Sequence, residues 1–248
     1  MISVIILTKN EEEVIKDCVE SMKGFAQKIV VIDSNSTDKT VDIAENLKAE
    51  VYKNKFIDFS KQRNFAFSKV SFDWILYIDA DERLTDEFKK EVKGVLDNFR
   101  EENGIGGFFI KRKTFFFGKN WGLSDKMQRL FYKKNFIGWE GVVHETPKIK
   151  GSFSEIKSPI LHLTHRNLYQ MLEKTNEWSE YEAKLRFDSK HPKMSWWRFL
   201  RIMLTGFFKS YLLEKGYKNG TAGIIESIYQ SFSMFITYAK LWEKQNRH

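Results

Sequence analysis

The run Trp74-Ile75-Leu76-Tyr77-Ile78, followed at once by Asp79-Ala80-Asp81-Glu82, constrains the fold more than any other stretch of this chain. Five consecutive apolar or aromatic residues suit a strand covered on both faces, as in a parallel sheet flanked by helices. The run then breaks into three carboxylates within four positions. At the carboxyl end of a parallel strand the backbone opens into the crevice where α/β folds bind ligands, and side chains two apart project to the same side of an extended chain. Asp79 and Asp81 so placed suit Mg²⁺ or Mn²⁺, cations held by one or two carboxylates with substrate phosphates completing the shell. Taken alone, an Asp-x-Asp is more often the cap of a following helix.

The preceding chain favours the ligand site. Ser3 to Leu7 reads as a short apolar strand that stops at Thr8-Lys9-Asn10-Glu11, followed by a helix with Val14, Ile15, Val19 and Met22 on one face and Gly24 at its end. A second buried strand, Lys28 to Ile32, stops at Asp33-Ser34-Asn35-Ser36-Thr37-Asp38, and Val41, Ala44 and Leu47 mark the next helix. Glu50-Val51-Tyr52 is a third strand, and Ser60 is the expected N-cap of a helix through Lys69. Strands alternating with helices mean right-handed βαβ units and a doubly wound, mostly parallel sheet. The three polar clusters then converge on one edge of it, with Asp38 read as turn and cap chemistry.

Beyond Asp86, the spacing of Phe88, Val92, Val95, Leu96 and Phe99 predicts an amphipathic helix. Gly104–Gly107 reads as a turn, Phe108–Ile110 and Gln128–Tyr132 as strands, and Trp139–Pro147 as ending in a loop, because Pro147 biases Thr146 away from helix. A last apolar run, Pro159 to Leu163, carries His162. Past Arg166 the pattern is helical only, which divides the chain into an α/β catalytic domain over 1–165 and a helical C-terminal region over 166–248.

Charge and motif content narrow the chemistry. Forty-one Lys and Arg against 33 Asp and Glu give a net charge of +8, suited to anionic partners. The lone Cys18 excludes an internal disulfide, fits a reducing compartment, and reads as buried packing. The N-terminal apolar run is too short for a signal peptide or a membrane span. No Gly-x-Gly-x-x-Gly follows the first strand and there is no P-loop, so dinucleotide and P-loop chemistry are unsupported. His144-Glu145 is not a zinc-protease helix, since Lys148 stands where the second His belongs and Pro147 intervenes.

The helical region has a logic of its own. Across Met194–Leu213, Arg198, Arg201, Thr205 and Lys209 form a narrow polar stripe, while Trp196, Trp197, Phe199, Leu200, Phe207 and Phe208 are among the apolar residues around it. That is too apolar for an ordinary surface helix, and its three charges argue against a transmembrane span. Burial against the last helix, dimerisation and insertion at an anionic membrane surface all remain open.

Four motifs in order, Ile5-Ile6-Leu7-Thr8-Lys9-Asn10-Glu11, Val30 through Asp38, Gln62-Arg63-Asn64 and Trp74 through Glu82, closely resemble the family 2 glycosyltransferases of GT-A fold. Arg129-Leu130-Phe131 and Val143-His144-Glu145 are similar to the branch that builds lipopolysaccharide or lipooligosaccharide cores. The resemblance implies a GT-A α/β fold with a C-terminal helical appendage. It implies Thr8, Asn10 and Glu11 at the base and ribose of a nucleotide-diphosphate sugar, Asp33 accepting from the base, and Gln62 and Arg63 on the diphosphate side, where a guanidinium can bind phosphate oxygens in pairs. Asp79 would face ribose and metal and Asp81 the metal, a divalent cation, Mn²⁺ or Mg²⁺. His162 would complete the shell or stand as a satisfied core histidine. Glu145 would be the base of an inverting transfer, with Glu140 and Glu82 in reserve and His144 structural or in contact with the acceptor.

The expected enzyme moves a hexose or heptose to a saccharide acceptor on a lipid carrier, in the cytoplasm or peripherally on the inner face of the membrane, as a monomer or homodimer, with no nucleic acid partner. The rival readings are a protein or peptide glycosyltransferase, a nucleotidyltransferase and a non-catalytic binding module. A nucleotidyltransferase should carry a Gly-rich basic signature after the first strand, which Thr8-Lys9-Asn10-Glu11 does not. Intact Asp79, Asp81 and Glu145 speak against a binding module.

Overall fold

A computed structural model describes residues 1–141 and 145–247, and Leu123 by its backbone. Four apolar runs become β1 (Ile2–Thr8), β2 (Lys28–Asp33), β3 (Glu50–Lys53) and β4 (Trp74–Asp79). They lie parallel in the order β3-β2-β1-β4, with Thr8 opposite Asp33 and Leu7 opposite Asp79. Because all four run the same way, the polar residues that end them emerge side by side.

The pleat of these strands sends alternate residues into two cores. Val4, Ile6, Leu76 and Ile78 pack with Ile15, Cys18 and Val19 of α1 (Ile15–Ser21), Ala44 of α2 (Thr40–Asn46), and Phe88 and Val92 of α4 (Asp86–Asp97). Ile5, Ile75 and Tyr77 pack with Ala66 of α3 (Phe59–Phe67) and with Phe131, Phe136 and Trp139. Helices on both faces make this the α/β, doubly wound arrangement that the sequence predicts.

The sheet continues as a mixed one of eight strands, β3-β2-β1-β4-β7-β6-β10-β5. Here β5 is Glu82–Arg83, β6 Ile105–Phe116, β7 Lys119–Tyr132 and β10 Ser152–Thr164. Strand β7 runs antiparallel to β4, and β10 antiparallel to β5 with His162 opposite Glu82. A separate antiparallel pair, β8 (Phe136–Glu140) and β9 (Thr146–Ile149), sets Trp139 opposite Pro147. Thr146 is extended, as a residue before proline should be, but it belongs to a strand and not to a loop.

Local details also differ from expectation. Asp58, not Ser60, caps α3 by accepting from the Lys61 amide at 2.7 Å, and Ser60 donates its hydroxyl to the same carboxylate at 2.8 Å. The turn expected at Gly104–Gly107 ends at Gly104 (φ +65°), and β6 begins at Ile105.

By internal contacts the chain forms two units, one of Met1–Thr114 with Ser124–Leu163, the other of Phe115–Leu123 with the chain from Thr164 onward. The second contains α5 (Leu168–Asp188), α6 (Trp196–Phe208), a π-helical turn over Lys209–Leu213, and α7 (Gly220–Asn246). Its buried apolar cluster is small: Ala183, Met194, Ile202 and Leu241, with Phe199, Met234 and Tyr238 against it. Helices α6 and α7 approach closely at Gly206, where an added Cβ would meet Met234 Sδ at 2.8 Å and Ser231 Cα at 3.2 Å. Among the described residues no helix is long and apolar enough to cross a membrane.

Candidate active site

The loops after β1 and β2 are stapled to each other at the carboxyl edge of the sheet. Asn10 adopts φ +53°, a left-handed conformation that asparagine tolerates. Its amide donates to Ser36 Oγ and its Oδ1 accepts from the Thr37 amide, both at 2.8 Å. The Glu11 amide donates to Thr40 Oγ1 at 2.8 Å and the Glu12 amide to Asp38 Oδ2 at 3.1 Å. Asp38 also accepts from the Thr40 amide and hydroxyl. Burial opposes its charge, but the donors from Thr40 and Glu12 hold its carboxyl below the ordinary range. Asp33 is fully buried and accepts from the Ser36 amide and hydroxyl, while Thr8 Oγ1 is buried with no hydrogen-bond partner among the described residues.

Helix α3 carries the next pair. Gln62 is braced on three sides: its Nε2 donates to Ser34 Oγ (3.0 Å) and the Asn54 carbonyl (3.3 Å), and its Oε1 accepts from Asn54 Nδ2 (2.7 Å). Arg63 is buried, with its guanidinium 4.9 Å from the Trp139 ring centroid. Its Nε donates to Glu145 Oε1 at 2.9 Å, Nη2 lies 3.6 Å from Asp79 Oδ1, and Nη1 is buried without a partner. Residues 63, 79 and 145, far apart in sequence, therefore meet at one guanidinium. Asn64 holds the hairpin beside them, accepting from the Trp139 amide and donating to its carbonyl.

Asp79 is held more firmly by Arg129, whose Nη2 is 2.6 Å and Nη1 3.3 Å from its two carboxylate oxygens. Burial opposes its charge, yet Arg129 and then Arg63 drive its carboxyl well below the usual carboxylate range. Glu82 is fully buried and moves the other way: burial and then the charge of Asp79 push its carboxyl up. It accepts from the Asp79 amide at 2.9 Å and from Arg112 at 3.2 Å, and Arg112 also pairs with Asp125. A carboxyl so enclosed is a poor base for an incoming hydroxyl. Glu140, the other reserve, pairs with Lys148 at 2.6 Å and is exposed. His144 lies outside the described residues.

The pairing of β5 with β10 brings His162 to Asp81, Nε2 to Oδ2 at 3.5 Å, and the Leu163 amide donates to the Asp81 carbonyl at 2.9 Å. Arg83 fixes this turn, donating to the Ala80 and Val14 carbonyls at 2.9 and 2.7 Å. Burial opposes protonation of His162, but the hydrogen bond and charge of Asp81 raise its pKa overall. The expected trio of Asp79, Asp81 and His162 is not assembled as one metal site. Among the described residues no group of three or more His, Cys, Asp and Glu stands in a metal-holding arrangement, and both oxygens of Asp79 face guanidinium groups. One carboxylate and one imidazole remain adjacent at Asp81 and His162, a donor set that fits a divalent cation completed by phosphate oxygens.

Nothing local in the sequence gives Arg129, Arg112 or Trp139 a role. The one hint at Arg129 is a lone charge beside the apolar Leu130-Phe131 of a strand, and that side chain is 1% exposed. Cys18 is buried with its Sγ 3.6 Å from the Asp79 carbonyl oxygen, and burial pushes its thiol far above the ordinary range, so it packs and does not react.

The chain is similar to known glycosyltransferases. A Rickettsia felis protein described as an uncharacterized glycosyltransferase is 28% identical over 261 residues, covering 98% of this chain and 89% of that one. The lipopolysaccharide core biosynthesis glycosyltransferase LpsC of Rhizobium meliloti is 25% identical over 258 residues, covering 98% and 92%. Among solved structures, mannosyl-3-phosphoglycerate synthase from Rubrobacter xylanophilus overlays on 46% of this chain and 40% of that one, with a TM-score of 0.40 and 20% identity. The model of glycosyl transferase family 2 matches residues 3–155, a span that takes in Thr8, Asp33, Arg63, Asp79, Asp81, Arg129 and Glu145, and the chain belongs to that family.

Proposed function

We propose that this glycosyltransferase is an inverting, metal-dependent enzyme that moves a hexose or heptose from a nucleotide-diphosphate donor to a saccharide on a lipid carrier, as in assembly of a lipopolysaccharide core. It would work in the cytoplasm or on the inner face of the membrane. The observation that carries the reading is Arg63, a buried guanidinium shared by Asp79 and Glu145 with Nη1 unpartnered, at the edge where the parallel strands end. The nearly full-length alignment with LpsC supports the acceptor class.

In this reading Thr8, Asn10 and Glu11 meet base and ribose, Asp33 accepts from the base, and Asp79, its charge maintained by Arg129, serves the ribose. Arg63 takes diphosphate oxygens, and Gln62 holds the segment that bears it. Asp81 and His162 would hold the cation, which when bound offsets the charge on the departing diphosphate. Glu145 accepts the proton of the acceptor hydroxyl as that oxygen bonds to the anomeric carbon and the bond to the diphosphate oxygen breaks on the opposite face. The contact of Glu145 with Arg63 favours a second reading, in which Glu145 positions the guanidinium and takes no proton.

A panel of nucleotide-diphosphate sugars, each with Mn²⁺, Mg²⁺ or a chelator, tests the proposal. Turnover of one donor class with metal, and its loss on chelation and in Asp81→Asn, is the expected result. Turnover indifferent to chelation would overturn the metal role, and no turnover of any such sugar would overturn the donor class.

A further inference from the structure

Helix α6 turns several of its large side chains, Trp196, Leu204 and Phe208 among them, outward. Its contact with α7 includes Ile202 and Gly206, both buried, and Phe199, whose ring centroid lies 5.6 Å from that of Phe235, and Ser231 of α7 donates to the Met203 carbonyl at 2.8 Å. The opposite face leaves Trp196 76%, Leu204 58%, Phe208 50% and Leu213 78% exposed. A shallow groove of about 530 Å³ runs along it from Arg201 to Leu213. Basic groups accompany the apolar ones: the guanidiniums of Arg198 and Arg201 each stand 5.3 Å from the Trp197 ring centroid, and Lys209 is exposed. From Lys190 to Lys218 the chain carries seven Lys and Arg and one acid, Glu214.

We propose that this face of α6 and the turn after it docks on an anionic lipid surface. A wide apolar face with tryptophan at its start and cations alongside is the composition that settles at the boundary between headgroups and acyl chains. The helix cannot cross a membrane, so it would lie in the plane of the interface. Charge decides against a second copy of the chain. A two-fold contact sets a patch against itself, which would bring Arg198, Arg201 and Lys209 against the same residues with only Glu214 to offset them, and Glu214 already lies 3.8 Å from Lys209. The inference rests on α6 and not on the reading of the active site, so vesicle binding can fail with donor turnover unchanged.

The test is co-sedimentation of the full chain with vesicles of phosphatidylcholine alone or of equal parts phosphatidylcholine and phosphatidylglycerol. The parent should pellet with the anionic vesicles, and salt at about 1 M, where the Debye length is about 3 Å, should release it in part. Each basic residue near an anionic leaflet contributes about fivefold, so the variant with Arg198, Arg201 and Lys209 changed to Gln should bind roughly a hundredfold more weakly. A Trp196→Ser, Trp197→Ser variant, altered only at exposed positions, should stay folded and also lose binding. Negligible pelleting of the parent, or equal pelleting with both vesicle types, overturns the proposal. So does a parent that is a dimer by sedimentation velocity, becomes a monomer when the Trp pair is changed, and does not bind vesicles.

Discussion

The two units of this chain use apolar residues in opposite ways. In the first, Ile5, Ile6, Ile75, Leu76, Tyr77, Ile78 and Phe88 are wholly buried, sorted by the pleat into cores on either face of the sheet. In the second, Trp196, Leu204, Phe208 and Leu213 stand exposed, and helix α6 meets α7 through Gly206, Ile202 and Phe199. The same residue types thus build a covered core in one place and a solvent-facing surface in the other. A run of hydrophobic residues states how much apolar area there is, and only its neighbours decide whether that area is covered.

Three substitutions probe this contrast between the two units. Phe88→Ala empties a fully buried site in the first unit and should cost about 3–5 kcal/mol in urea unfolding. Gly206→Val forces a branched side chain between α6 and α7, where even a Cβ meets Met234 and Ser231, and should cost about 1–3 kcal/mol, read as loss of helical signal at lower urea. Trp196→Ser removes a side chain that is three-quarters exposed and should shift stability by no more than about 0.5 kcal/mol. If Trp196→Ser cost as much as Phe88→Ala, the outward face of α6 would be a core in solution and the contrast would collapse.

Legibility in the sequence follows the same division. Strands β1, β2 and β4 are plain as apolar runs, because a strand covered on both faces leaves little room for polar residues. The meeting of Asp81 with His162 is not, since it depends on the antiparallel pairing of Glu82 with His162 across a long stretch of chain. Gly106 and Gly107 read locally as a turn, yet they lie in a strand where a Cβ would come within 2.3 Å of the Lys150 carbonyl and 2.8 Å of the Phe153 ring. Nothing near them in sequence reports those neighbours. Asp79 is legible as a site carboxylate from its place at a strand end, but its capture by Arg129 requires β7 to lie beside β4. For α6, the polar stripe of Arg198, Arg201, Thr205 and Lys209 was readable, whereas the buried stripe was not, because Gly206 marks close packing only once α7 is in place.

Glu145 is proposed as the base of sugar transfer at the edge of the first unit. The most direct measurement is the steady-state kinetics of Glu145→Gln with the donor that the parent turns over. The amide keeps the shape of the side chain and an oxygen for Arg63 but has no basicity. With Glu145 as the base, kcat falls by about 10²–10⁴ while the donor KM stays nearly constant. An unchanged kcat with a raised donor KM would contradict that role and leave Glu145 as the residue that holds Arg63 in place.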